Sequence, residues 1–267
     1  STSQPHHHTP ILFNSSHTSQ SPAVRPRSAC VCDAGGSGQP HEDRPDRGTV
    51  LAPPRRVEDN PLVIDMEAVD REVRAARAEL ADAGNVKGIL SLPTRKRIWR
   101  AMLDPDDDEV SYQHRIRLKM ACVRHVLPVW YRGFPGDQRV EEMIALTQDL
   151  MDRRTTDIDQ AQEDAESLLV GVIDDVNASA TEVKPGVLKP DATKEASSFV
   201  ADAASHAVFS ACYRDPDMDL WEEFDDMVDD DELLPDSLES SYSCASAAAG
   251  ALNWMPVEQT DVPARRA

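Results

Sequence analysis

From Pro61 onward, apolar residues recur every three to four positions, the spacing that lays a single stripe along an α-helix. Met66, Val69, Val73, Ala76 and Leu80 form the first stripe, on a helix that Gly84 can terminate. A shorter helix fits Pro93–Leu103, since proline is tolerated in a first turn and Ile98, Trp99 and Met102 share a face. Asp104-Pro105 ends it, because a residue before proline is pushed out of the helical region. Ile116, Met120, Val123, Leu127 and Trp130 mark the next helix, and Pro128 inside that stripe predicts a kink near its end.

Phe134-Pro135-Gly136 reads as a turn, with Asp137 as N-cap of a helix carrying Val140, Ile144, Thr147 and Met151. Thr156 and Asp159 resemble a capping pair ahead of the stripe Ile158, Ala161, Ala165, Leu168, Val172 and Val176. Residues 177–192 hold a Gly and two Pro and read as a loop. Ala196, Val200, Ala203, Ala207 and Ala211 then mark a helix whose small side chains let neighbours approach closely. A last helix over Asp236–Gly250 turns Leu238, Tyr242, Ala245 and Ala249 inward. No segment of useful length alternates with period two. The expected fold is all-α, a single domain of about six to seven helices over residues 61–267.

Residues 1–60 break the pattern. They contain eight Pro, eight Ser and five of the eight His, without periodicity. Such a stretch cannot bury enough apolar surface to offset chain entropy, so it reads as a disordered tail. No apolar run approaches the roughly 20 residues of a membrane span, and the first residues lack a signal-peptide pattern. The expected location is the cytoplasm. Cys30, Cys32, Cys122, Cys212 and Cys244 are odd in number and widely spread, which fits free thiols better than a disulfide framework.

Charge sharpens the picture. The chain carries 28 Lys+Arg against 48 Asp+Glu, a formal net charge of −20. Residues 1–60 balance to zero, whereas residues 201–267 contribute −13. Between Asp215 and Glu239 there are thirteen acids and no base. A strongly acidic protein is repelled by phosphate backbones, so a nucleic-acid partner is not expected and a basic partner is favoured.

Candidate chemistry is sparse. His6-His7-His8, and Cys30 with Cys32 and His41, lack metal-site spacing and fall in the tail. Gly35-Gly36-Ser37-Gly38 lacks the Lys-Ser/Thr ending of a phosphate loop. Cys122 and His125 lie one turn apart, but Cys122 borders the inward stripe, where a buried thiol is inert. His206, in an alanine-rich helix, reads as a packed histidine. The acids at 104–109 and 215–239 lack the spacing of a calcium loop. No catalytic residue, cofactor or metal is therefore expected. The 215–239 stretch also carries Leu220, Trp221, Phe224, Met227 and Val228. Apolar anchors within single-sign charge suit a docking surface, while a solvated loop is the plainer alternative.

Four segments point to a family. Leu92-Pro93-Thr94-Arg95-Lys96-Arg97-Ile98-Trp99-Arg100-Ala101-Met102-Leu103 resembles the opening helix of immunity protein family 5 of bacterial polymorphic toxin systems. Tyr112–Leu118 and Val123–Trp130 resemble that family's long helix with its arginine, leucine-proline and tryptophan ending, and Ala247–Trp254 is similar to its later part. The resemblance runs from about residue 90 to 256. It implies an all-α, non-enzymatic protein that binds and neutralises a cognate toxin. Trp99, Pro128 and Trp130 fall on the inward stripe or at its kink, so they read as structural rather than as toxin contacts.

The combined expectation is an inhibitor of a basic, nuclease-like toxin. Asp219, Glu222, Glu223, Asp225, Asp226, Asp229, Asp230 and Asp231 would steer the toxin, and Trp221 and Phe224 would anchor it. The rivals are a metal-dependent helical enzyme using the acidic loop, and a helical scaffold for an unrelated partner.

Overall fold

The computed structural model describes residues 64–216, 218–220, 240–251 and 255–267, apart from the side chain of Asp219. Among these residues are eight α-helices: α1 (Met66–Ala81), α2 (Leu92–Ala101), α3 (Asp108–Gly133), α4 (Arg139–Met151), α5 (Ile158–Ala178), α6 (Ala192–Cys212), α7 (Ser240–Ala249) and α8 (Val262–Arg266). Two short strands, β1 (Thr181–Lys184) and β2 (Val187–Lys189), complete the set with 3-10 turns at Met218–Leu220 and Val257–Gln259. The expected all-α fold is what the chain adopts, with one small hairpin added. The expected tail over 1–60, and with it His6-His7-His8, Cys30, Cys32, His41 and the Gly35–Gly38 run, lies outside the described residues.

The core is built around α6, which packs against α3, α4, α5 and α7. Its small residues explain how one helix can have so many neighbours: Val200, Ala203, Ala207 and Ala211 are all buried. Gly133, at the end of α3, marks a close approach. A Cβ placed there would lie 2.4 Å from Ser197 Oγ and 3.0 Å from the Thr193 carbonyl of α6. Ser197 Oγ donates across this contact to the Val129 carbonyl at 2.8 Å.

α3 follows its stripe closely, with Ile116, Met120, Val123 and Trp130 fully buried. The helix continues past Pro128 to Gly133, so the proline sits inside it rather than ending it. Trp130 stacks on Phe134 and donates from Nε1 to the Asp137 carbonyl at 3.0 Å, fixing the turn into α4.

Some expectations shift by one residue. α4 begins at Arg139 with Gln138 at the cap position, whereas Asp137 accepts from the Arg139 amide at 2.9 Å and grips its guanidinium. α5 is capped by Asp157, not Thr156: the Asp157 carboxylate accepts from the Gln160 amide at 3.1 Å. Residues 181–189 form an antiparallel hairpin instead of a plain loop, turning at Pro185-Gly186 where Gly186 has φ +75°.

α2 departs most from its pattern. Its buried residues are Thr94, Arg95 and Lys96, while Ile98 and Trp99 are only half-buried. Thr94 belongs to the joint with α1, where Glu79 accepts from the Ser91 amide at 2.7 Å and from Thr94 Oγ1. Those bonds outweigh partial burial and hold the Glu79 carboxyl below its ordinary value. At the other end of the chain, Arg265 donates to the carbonyls of Lys87 (3.2 Å) and Ala251 (2.6 Å), and Arg266 to that of Asn85 (2.6 Å). α8 thereby ties the α1–α2 connection to the end of α7.

Candidate functional site

Trp221, Glu222, Glu223, Phe224, Asp225, Asp226, Asp229, Asp230 and Asp231 lie outside the described residues, as do Leu238 and Trp254. Asp219 falls within the Met218–Leu220 turn, its side chain likewise outside. What the structure describes is the framework at the two ends of that acidic stretch.

At the first end, chain leaving α6 is held by two arginines that the sequence pattern did not single out. Arg115, on α3, donates from Nη1 to Ser210 Oγ and from Nη2 to the Tyr213 carbonyl, both at 2.5 Å, and its Nη1 lies 3.4 Å from Met218 sulfur. Arg214 donates to both carboxylate oxygens of Glu109, at 2.6 and 2.8 Å, and to the carbonyls of Leu150 and Met151. Arg153 adds a third bond to Glu109 at 2.9 Å. Burial alone would raise the Glu109 carboxyl; the hydrogen bonds from Arg214 and Arg153 outweigh it and hold the group below its ordinary value. Both guanidiniums lie against the Tyr112 ring, whose centroid is 4.6 Å from the Arg214 guanidinium carbon and 5.5 Å from that of Arg115. Its hydroxyl donates to the Ala211 carbonyl at 2.8 Å, and burial pushes its pKa up.

Both ends of the acidic stretch reach one small cavity. Pro216 and Leu220 line it from the first end and Ser241 from the second, with Trp99, Arg115 and Lys119 on the remaining walls. The volume is about 30 Å³, room for a water and not for a substrate.

Four cations are buried on the two helices beside this junction: Arg95 (6% exposed) and Lys96 (4%) on α2, Arg115 (8%) and Lys119 (4%) on α3. Charged side chains are almost never this buried unless paired. The signal for two of them was present in the sequence, since Arg115 and Lys119 adjoin Ile116 and Met120 on the inward side of α3.

The remaining candidates read as structural. His206 and Ser243 both meet Asp202, at 3.3 Å (Nε2) and 2.5 Å (Oγ), in a buried contact between α6 and α7. The carboxylate is the central member. A hydrolase triad needs histidine in the centre, to take the serine proton. Burial pushes the Cys212 thiol up to about 11, which makes it a poor nucleophile. Cys122 and His125 line an open groove of about 320 Å³ with Cys244 and Arg265. Among the described residues no group of three His, Cys, Asp or Glu side chains could hold a metal, and no helix is long and apolar enough to cross a membrane.

Residues 75–267, nearly three quarters of the chain, match the profile of a family described as immunity protein Imm5. The chain belongs to that family. The match takes in the C-terminal part of α1 and every later element, including the acidic stretch and the framework at its ends. A search of curated proteins returned no match. Imm5 membership makes the chain an immunity protein, which implies a toxin partner and suggests a non-enzymatic role.

Proposed function

We propose that this chain binds and neutralises a cognate polymorphic toxin, a basic, nuclease-like one, by covering its active surface in the cytoplasm. In this reading residues 61–267 act as one domain, and neither nucleic acid nor a membrane is a partner. The observation that carries it is the run of thirteen acids without a base between Asp215 and Glu239, with Trp221 and Phe224 inside it. A nuclease needs basic surface to bind phosphate, and an acidic segment can occupy that surface. Asp219, Glu222, Glu223, Asp225, Asp226, Asp229, Asp230 and Asp231 steer the encounter, while Trp221 and Phe224 supply contact area. The framework supports this. Arg115 and Arg214 fix the chain entering the stretch, so less ordering entropy is lost on binding.

Co-expression with a cognate toxin, sought among the genes beside this one, tests the reading. The wild-type chain restores growth, and the double substitution Trp221→Ala with Phe224→Ala loses protection while the protein stays folded. Full protection by that variant would remove the acidic segment as the docking surface.

A further inference from the structure

Arg265 is a buried cation held by neutral groups. Only 8% exposed, it donates from Nη1 to the Lys87 carbonyl at 3.2 Å and from Nη2 to the Ala251 carbonyl at 2.6 Å. A guanidinium has five N–H donors, so these bonds leave three, and Nε has no acceptor. Burial pulls its pKa below the ordinary value, and no carboxylate among the described residues offsets that fall. The two carbonyls fix where the side chain lies, but they do not balance its charge. Buried arginines are normally paired with an anion.

The same side chain lines the open groove of about 320 Å³ between α3, α7 and α8. Ala121 and Val126 of α3, Ala245 and Ala248 of α7 and Ala264 of α8 supply apolar walls, and no acidic side chain is among the described lining residues. Small-molecule sites have this character: mostly apolar walls with a few polar groups that set orientation.

We propose that this groove binds a small amphipathic carboxylate, with its apolar body on the alanine and valine walls and its carboxylate on Arg265. The planar guanidinium fork matches a carboxylate. A single cation among apolar walls suits one negative charge on a hydrocarbon body, whereas a doubly charged, strongly hydrated phosphate needs more donors than this groove offers. Arg265 also ties the α1–α2 connection to the end of α7, so an occupant stiffens that joint. Occupancy does not depend on what the toxin is.

The probe is 4-phenylbutyrate, one ring and one carboxylate; 4-phenylbutan-1-ol and 4-phenylbutylamine keep the ring without the negative charge. In thermal unfolding of the full chain the carboxylate raises Tm by about 2–4 °C once it is about fivefold above its Kd. The alcohol and the amine leave Tm unchanged. Arg265→Gln removes the charge, and Ala121→Trp fills the groove from an exposed position with the arginine intact. Each abolishes the shift. Should Arg265→Gln fail to fold, Ala121→Trp decides. No shift in the wild type, an equal shift from the alcohol or the amine, or a full shift in either folded variant overturns the proposal.

Discussion

Arg214 holds both carboxylate oxygens of Glu109 through one nitrogen, and with its other terminal nitrogen it reaches the carbonyls of Leu150 and Met151. A single guanidinium therefore joins the start of α3, the end of α4 and the chain that leads into the acidic stretch. The Glu109 carboxyl titrates below its ordinary value of 4.5 in the folded state. A depressed carboxyl stabilises the fold above its unfolded pKa, and that stabilisation is lost as pH falls through the folded value. Glu109→Gln is expected to cost about 1 kcal/mol at pH 7, discounted for partial exposure. The gap from wild type should narrow below about pH 4. Urea unfolding of both proteins at pH 7 and pH 3.5 measures it.

Gly133 admits no larger residue. With Ser197 Oγ only 2.4 Å from where a Cβ would stand, Gly133→Ala forces α3 and α6 apart. The expected loss is about 1–3 kcal/mol. Adding Ser197→Gly should return part of it in the same unfolding assay, because the opposing side chain is then gone.

Cys212 is expected to be inert. Its thiol, raised to about 11 by burial, is almost fully protonated at pH 8. Iodoacetamide at pH 8 should leave the Cys212 peptide unmodified in the native protein and alkylate it in urea. Rapid native labelling would contradict the burial of the α6 C-terminus.

Asp202 links two helices through Ser243 and His206. Asp202→Ala leaves the Ser243 hydroxyl without that acceptor in the interior, and a loss of about 2–3 kcal/mol is expected in thermal or urea unfolding. His206→Ala, by contrast, should still protect against the toxin in co-expression, since a packed histidine takes no part in chemistry. Loss of protection in a stable His206→Ala protein would revive a catalytic reading.

The stripes of α3 to α6 were legible because their buried faces are apolar and regularly spaced, as with Ile116, Met120 and Val123. Caps slipped by a residue where competent neighbours stand side by side, as Thr156 does with Asp157. The 181–189 hairpin was not legible. Its strands have four and three residues with every position exposed, so neither face imposes an apolar alternation. The framework beside the acidic stretch was hidden for a different reason. Arg95, Lys96, Arg115 and Lys119 are residue types that normally face water, so only the place of Arg115 and Lys119 beside Ile116 and Met120 hinted at burial, and nothing in the spacing marked Arg95 and Lys96. The acidic stretch itself was plain from composition, whereas the arginines that fix its entry were not.

If acidic charge draws a basic toxin onto this protein, the encounter must weaken as salt screens it. The most direct test is the association rate with the purified toxin between 0.01 and 0.15 M salt, over which the Debye length falls from about 30 to about 8 Å. Electrostatic steering predicts a rate at least about tenfold slower at the higher salt, with the dependence weakened when the carboxylates of residues 222–232 are converted to their amides. An association rate that ignores salt in the wild-type protein would contradict it.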